Sequence, residues 1–337
     1  MVVSDRPPAG WNERIAAPCQ SAGFAAAMRT MGYHPLFLWG DAGAALALVR
    51  GWFPGVRRLT ARANLLAPGA DPGFVWEALR SMAALGIPYV KVGDTMWGVP
   101  WSETAGGEHF RRTAVVQRHT FVLDLRQDEA ALLHQMDGAE RKIRKAEREG
   151  VTVSEVRSEG ELRAYCQLSL ETSARVRARS AYTDFPDRFF HAIYRELVPA
   201  GAARFYLGWH RGVPLAGCLF LCSREQMLYF LGGSSRDREL TAVQAPSAVF
   251  WHAIREAKRQ GMVRFDFGGC TPTEDVDDPR YGVYAFKKRW GGRLETFYNL
   301  EVVLGPMGHF LQEHVFSPIW DRAHPAYFRL LAALRAR

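Results

Sequence analysis

No apolar run in this sequence approaches the roughly 20 residues that a membrane-spanning helix needs. Met1 to Pro8 has no apolar h-region, so the expectation is a protein that is not exported and works in the cytoplasm. Cysteine is scarce. Cys19, Cys166, Cys218, Cys222 and Cys270 are an odd, scattered set, which argues for a reduced setting rather than a disulfide framework. Cys218 and Cys222 lie four apart in an apolar run read as strand, a spacing that puts both on one face. Lacking a nearby Cys/His pair, they are expected in the core rather than on a metal. Of the ten histidines only His309 and His314 are close in sequence, and five apart they fall on different sides of a helix. G-x-x-x-x-G-K-[ST], G-x-G-x-x-G after a strand, G-x-S-x-G and H-E-x-x-H are all absent, and no Ser/His/Asp or Cys/His set is legible. The expected chemistry therefore uses neither a metal, nor a cofactor, nor a covalent nucleophile.

What is present bounds the rest. A chain of 337 residues suggests two domains, and 48% hydrophobic with 23% charged residues is ordinary for a globular protein. The net charge of +8 suits a polyanionic partner such as RNA, a nucleotide or an anionic membrane, though an Arg-rich composition alone produces the same charge.

One order of elements occurs twice. Ser21 opens a helix that ends at Gly32; strands at Pro35–Trp39 and Ala44–Val49 form a hairpin, and another strand runs near Arg57–Ala63. A helix from Asp71 to Leu85 stops at Gly86 and leads to a buried strand, Ile87–Val92. Later come a helix over Pro186–Val198, a hairpin of Arg204–His210 and Pro214–Cys222, and a strand Gln226–Leu231 broken at Gly232-Gly233. A helix from Pro246 to Gln260 and a strand Met262–Phe267 ending in Gly268-Gly269 complete the copy. This is an internal duplication of α/β units. Between the copies, Asp128–Gly150 reads as helix with a break at Gly138. Its second half holds five cations from Arg141 to Arg148: either a phosphate-facing stripe or a solvated face with Glu/Arg pairs. The aromatic, basic tail after Pro306 either docks on the first domain or lies against a membrane surface.

The stretch Tyr281-Gly-Val-Tyr-Ala-Phe-Lys-Lys-Arg-Trp-Gly-Gly292 follows an acidic loop, Thr273–Asp278. Read as strand, it is either a solvated cationic edge or an anion-binding surface, and neighbours such as Phe286 and Lys287 point to opposite faces.

Taken together, two tandem units, a basic segment between them, Gln20-Ser21, Lys142-Ile-Arg-Lys145, Gly150-Val151, Ala245-Pro246, Asp266-Phe-Gly-Gly269 and Phe286-Lys287 resemble the Fem family. The resemblance covers nearly the whole chain and implies an α/β (α+β) fold of two tandem GNAT-like domains, of the compact FemX type without the coiled-coil insertion. The expected first domain is 1–148, completed by 305–337, and the second is 149–304 with the transfer motif. It also implies transfer of an amino acid from aminoacyl-tRNA to an amine of a peptidoglycan precursor or another amine-bearing peptide, by a monomer, with peripheral membrane contact as the closest approach to a bilayer. On this resemblance Lys287, Phe286 and Asp94 are catalytic. Arg204, Gln244, Asp266 and Tyr284 bind substrate, and Lys288, Arg289, Arg141, Arg144 and Lys145 hold tRNA. A second phosphate-gripping Lys is expected on the first helix, where this chain has Ala26, with Arg29 the nearest substitute. Other classes stay open: an acyl-CoA-dependent N-acyltransferase using Gly232-Gly233 or Gly268-Gly269, the same tRNA chemistry on a small peptide or natural product, and a non-catalytic binding protein.

Overall fold

Two strands of this chain have changed places between its halves. The computed structural model describes residues 1–51, 58, 61–93, 111–177, 185–235, 237, 242–278, 280–311 and 314–315. Among them the strands are β1 (Val2–Ser4), β2 (His34–Gly40), β3 (Gly43–Arg50), β4 (Arg62–Leu66), β5 (Tyr89–Val92) and β6 (Arg111–Asp124). The second series is β7 (Thr152–Glu155), β8 (Ala203–His210), β9 (Val213–Cys222), β10 (Gln226–Ser234), β11 (Arg264–Cys270) and β12 (Arg293–Val303). The helices are α1 (Trp11–Arg14), α2 (Ala22–Thr30), α3 (Pro72–Ala84), α4 (Glu129–His134) and α5 (Ala139–Arg148). They continue with α6 (Glu159–Arg177), α7 (Asp187–Leu197), α8 (Ala245–Arg259), α9 (Tyr281–Lys288) and α10 (Pro306–Leu311).

All twelve strands join one sheet in the order β1-β2-β3-β4-β5-β12-β6-β11-β10-β9-β8-β7. The expected duplication is there: α3 joins the parallel pair β4 and β5, and α8 joins the parallel pair β10 and β11. The strand after β5 in the chain is β6, yet β6 pairs with β11; the strand after β11 is β12, which returns to β5. β6 and β12 then pair with each other, antiparallel. A cut at 148/149 with only 305–337 crossing back therefore does not separate the halves, because 111–124 and 293–303 each cross it. Most of 305–337 lies outside the described residues.

Local chemistry explains most helix ends. The Ser21 hydroxyl accepts from Phe24 N at 3.0 Å, and Asp71, followed by Pro72, accepts from Gly73 N at 2.7 Å. Gly138, at φ 75°, divides α4 from α5 where the sequence placed a break. Three readings need correction. α9 is a helix, not a strand. The strand expected near 57–63 begins at Arg62 instead. Gly232-Gly233 and Gly268-Gly269 lie inside β10 and β11 rather than ending them. Gly233 is there because a Cβ would stand 2.4 Å from the backbone of Leu168, on a helix, α6, that had no counterpart in the sequence reading.

β9 is buried on both faces, as its near-continuous apolar run requires. Leu219 and Leu221 pack with Tyr165 and Phe190 in one layer; Cys218, Phe220 and Cys222 pack with Val249 and Phe250 of α8 in the other. The two cysteines thus share a core face, and burial pushes the Cys222 thiol up to about 12. No cluster able to hold a metal occurs among the described residues.

Candidate active site

The site forms where β10 and β11 part. They pair in parallel only over Gln226–Leu228 and Arg264–Asp266. Beyond that, β10 stays with β9 to Ser234 and β11 stays with β6 to Cys270. Opposite this opening stands α9, ended by Gly291 at φ 76°, where a Cβ would lie 2.3 Å from Gln135 O. Its inner face carries Tyr284 and Lys287, three apart and both buried.

Lys287 is 6% exposed, and its Nζ donates to Gly268 O at 2.9 Å and Gly269 O at 2.8 Å. The Tyr229 ring centroid lies 5.9 Å from the same nitrogen. An ammonium has three donors; two are committed to these carbonyls, and the third has no hydrogen-bond acceptor among the described residues. Burial lowers its pKa to about 8, against partial support from nearby Cys270 and Asp266. Lys288 differs in kind: it is exposed and pairs with Glu274 at 2.8 Å. Tyr284 also donates to Glu274, at 3.1 Å. Phe286 turns along the helix surface to meet Phe250 of α8 at 5.1 Å, not to the opposite face of a strand.

The other expected residues divide. Gln244 heads α8, at φ 63°, about 9 Å of helix from Phe250 and so at the same end as Phe286. Asp266 is 5% exposed and lies beneath Lys287, its carboxylate turned inward and accepting from Thr120 Oγ1 and from Gly268 N at 2.8 Å. Arg204 belongs to another place. It holds Glu155 at 2.8 Å and Gln260 at 3.0 Å, at the far end of α8, about 15 Å of helix from Phe250. Its guanidinium is consumed by a half-buried carboxylate, so Arg204→Met should cost about 1–3 kcal/mol of stability, read as a lower urea midpoint. The same change should leave acceptor KM within about twofold; a large KM rise would restore Arg204 to the site. Ala26 is half-buried on α2, and Arg29 is exposed and donates to Asp5 O at 2.7 Å. Asp94 lies outside the described residues.

The basic segment comes close to the end of α9. Asp137 N donates to Arg289 O at 2.8 Å, and Arg289 lies over the Phe286 ring at 5.8 Å. Lys142 sits near enough that burial first, then the Arg289 charge, lowers its pKa. Arg144 pairs with Glu140 at 2.5 Å, as a solvated face would, while Ile143 and Ala146 anchor the helix. Arg141, Lys142, Lys145 and Arg289 have no carboxylate in ion-pair contact among the described residues. Thr120 and Tyr229 were not singled out from the sequence as site residues; Thr120 lies 146 positions from Asp266, a separation that no local pattern spans.

Residues 134–288 match the family model described as an acetyltransferase (GNAT) domain. The lipid II:glycine glycyltransferase of Staphylococcus epidermidis is 30% identical over 105 residues, covering 30% of this chain and 24% of that protein. Its Staphylococcus aureus counterpart is 31% identical over 105 residues, covering 31% and 24%. The match thus spans about a quarter of the length of these relatives. Among solved structures, FemX superposes with a TM-score of 0.67 at 16% identity, covering 88% of this chain and 94% of that one. L-PGS from Bacillus licheniformis superposes at 0.52 with 15% identity, covering 79% and 83%.

Proposed function

We propose that the chain is a GNAT-related aminoacyltransferase of the Fem type, which moves an amino acid from aminoacyl-tRNA to an amine of a peptidoglycan precursor. The observation that carries this reading is the buried ammonium of Lys287, held by two carbonyls at the opening between β10 and β11. The donor ester is already activated, so the protein's task is positioning and charge stabilisation. The acceptor amine attacks the ester carbonyl carbon and a C–N bond forms. The C–O bond to the ribose then breaks, and the proton lost by the amine ends on the ribose hydroxyl. Lys287 faces the carbonyl oxygen or the leaving ribose oxygen with its uncommitted N–H. Phe286 packs beside it, Asp94 orients or deprotonates the amine, and Gln244 and Tyr284 border the acceptor. Lys288, Arg289, Arg141, Arg144 and Lys145, with Lys142 of the same basic helix, track the tRNA backbone electrostatically. None of the helices among the described residues is long and apolar enough to cross a membrane, and the proposed acceptor is met at the cytoplasmic side.

The GNAT family model favours one second reading, an acyl-CoA-dependent N-acyltransferase. The two separate by donor. Transfer to an acceptor in cell extract should vanish on RNase treatment and be indifferent to added CoA thioesters. Activity that survives RNase and requires an acyl-CoA would overturn the tRNA reading.

A further inference from the structure

Beneath Lys287 lies a buried polar pair whose members touch no substrate face. β11 carries one extra residue against β6: Asp266 pairs with Val122, and Gly269 pairs with Thr120. Gly268 takes up the surplus at φ 73°, a conformation open to glycine. This bulge supplies the Gly268 and Gly269 carbonyls that hold the Lys287 ammonium at 2.9 and 2.8 Å.

The bulge is tied from below at two points. The Asp266 carboxylate accepts from Gly268 N at 2.8 Å, closing the loop on itself. Thr120 Oγ1, on the neighbouring strand, lies within hydrogen-bond reach of Asp266 Oδ1 and 2.9 Å from Gly268 O. A hydroxyl has one proton to give, and an ionised carboxylate is the stronger acceptor, so Thr120 donates to Asp266. Thr120 is 3% and Asp266 5% exposed.

We propose that Thr120 and Asp266 are positioning residues that lock the 266–269 bulge and thereby set where Lys287 holds its ammonium and how readily it keeps it. The inference rests on Lys287 being the working residue of the proposed site, but its test does not depend on that.

Among the described residues the charged surroundings of Lys287 are few. β11 presents Asp266 and Cys270 to Lys287, β10 presents the Tyr229 ring, and β6 presents the neutral Thr120. Arg264 stands 3.6 Å from Asp266 but is held by Glu295 at 2.6 Å and Gln226 at 2.7 Å. Lys288, on the outer side of α9, is neutralised by Glu274. Burial holds the Asp266 pKa above the usual carboxylate range although Thr120, Gly268 N, Arg264 and Lys287 pull it down, so its charge depends on those contacts. An ionised Asp266 favours the ammonium, which burial opposes. Removing the carboxylate charge must then make Lys287 lose its proton at lower pH.

The chain has six lysines, few enough for each to be followed by NMR with [ε-13C]lysine, Lys287→Met assigning the signal. In the full-length protein without substrate, Asp266→Asn keeps the side-chain shape and should lower the Lys287 midpoint by about one pH unit or more. Thr120→Val should move it in the same direction, and Thr120→Ser should leave it in place. An unmoved Lys287 midpoint in a folded Asp266→Asn protein, with the other lysine signals unchanged, would overturn the inference. Should Asp266→Asn fail to fold, the threonine pair decides: a shift with Val but not Ser supports it, and no shift with either overturns it. A shifted midpoint without any change in transfer rate would leave this inference standing and count against Lys287 as the catalytic group.

Discussion

Lys287→Met is expected to lower the rate of acyl transfer by ~10²-fold or more with substrate affinity little changed, because the charge it removes acts on the oxyanion or leaving oxygen of the transition state. Met keeps the length and most of the volume of the aliphatic stem, so the two carbonyls of the bulge lose a donor while the packing around Tyr229 survives. Lys287→Arg should not restore the rate, since a planar guanidinium presents its charge differently from a compact ammonium. Lys288→Met is the internal control. Its ammonium is exposed and paired with Glu274, so its loss should mainly weaken tRNA binding in a salt-dependent way. The pH dependence has a definite sign. If the ammonium is the working form, the rate holds below the Lys287 pKa of about 8 and falls as pH rises through it. A rate that instead rises through that range would make neutral Lys287 a base and reverse its role.

The largest stability effect is expected at Trp290→Ala, about 3–5 kcal/mol of destabilisation. Trp290 is fully buried and lies in an aromatic cluster: 5.7 Å from Phe267, 5.6 Å from Phe250 and 6.4 Å from Phe286. Truncation leaves a cavity bordered by β11, α8 and α9 at once. Trp290 N also donates to Lys287 O at 3.3 Å, tightening the last turn of α9. The urea midpoint should fall accordingly, and Trp290→Phe should recover most of it. If Trp290→Ala were as stable as the parent, the cluster would not be what holds α9 against the sheet.

The hairpins, the glycine-ended helices and the repeat of their order were legible because alternation, capping residues and left-handed glycines act locally. Tyr281–Lys288 was misread because three cations between aromatics resemble a solvated edge strand. The pair Tyr284 and Lys287, three apart, is helical spacing, but a buried lysine does not look like an apolar position. Gly232-Gly233 and Gly268-Gly269 suggested turns, whereas one lets Leu168 approach and the other builds a bulge. The exchange of β6 and β12 has no local signature, since either strand completes either half equally well by pattern. Arg204 shows the limit for charges: the sequence displays a cation but not the Glu155 that occupies it. Asp266 was named from the sequence, but its tie to Thr120 is visible only in the sheet register.

The most direct measurement is the mass of a defined acceptor after incubation with the purified protein. A peptidoglycan-precursor peptide is offered charged tRNA in one reaction and a panel of acyl-CoA thioesters in another. Each is run with the parent protein and with Lys287→Met. The account predicts a mass increase of one amino-acid residue on the peptide amine with charged tRNA, lost or slowed ~10²-fold in Lys287→Met, and no acylation from the thioesters. An unmodified peptide with charged tRNA, together with an acylated one from a CoA thioester, would contradict it.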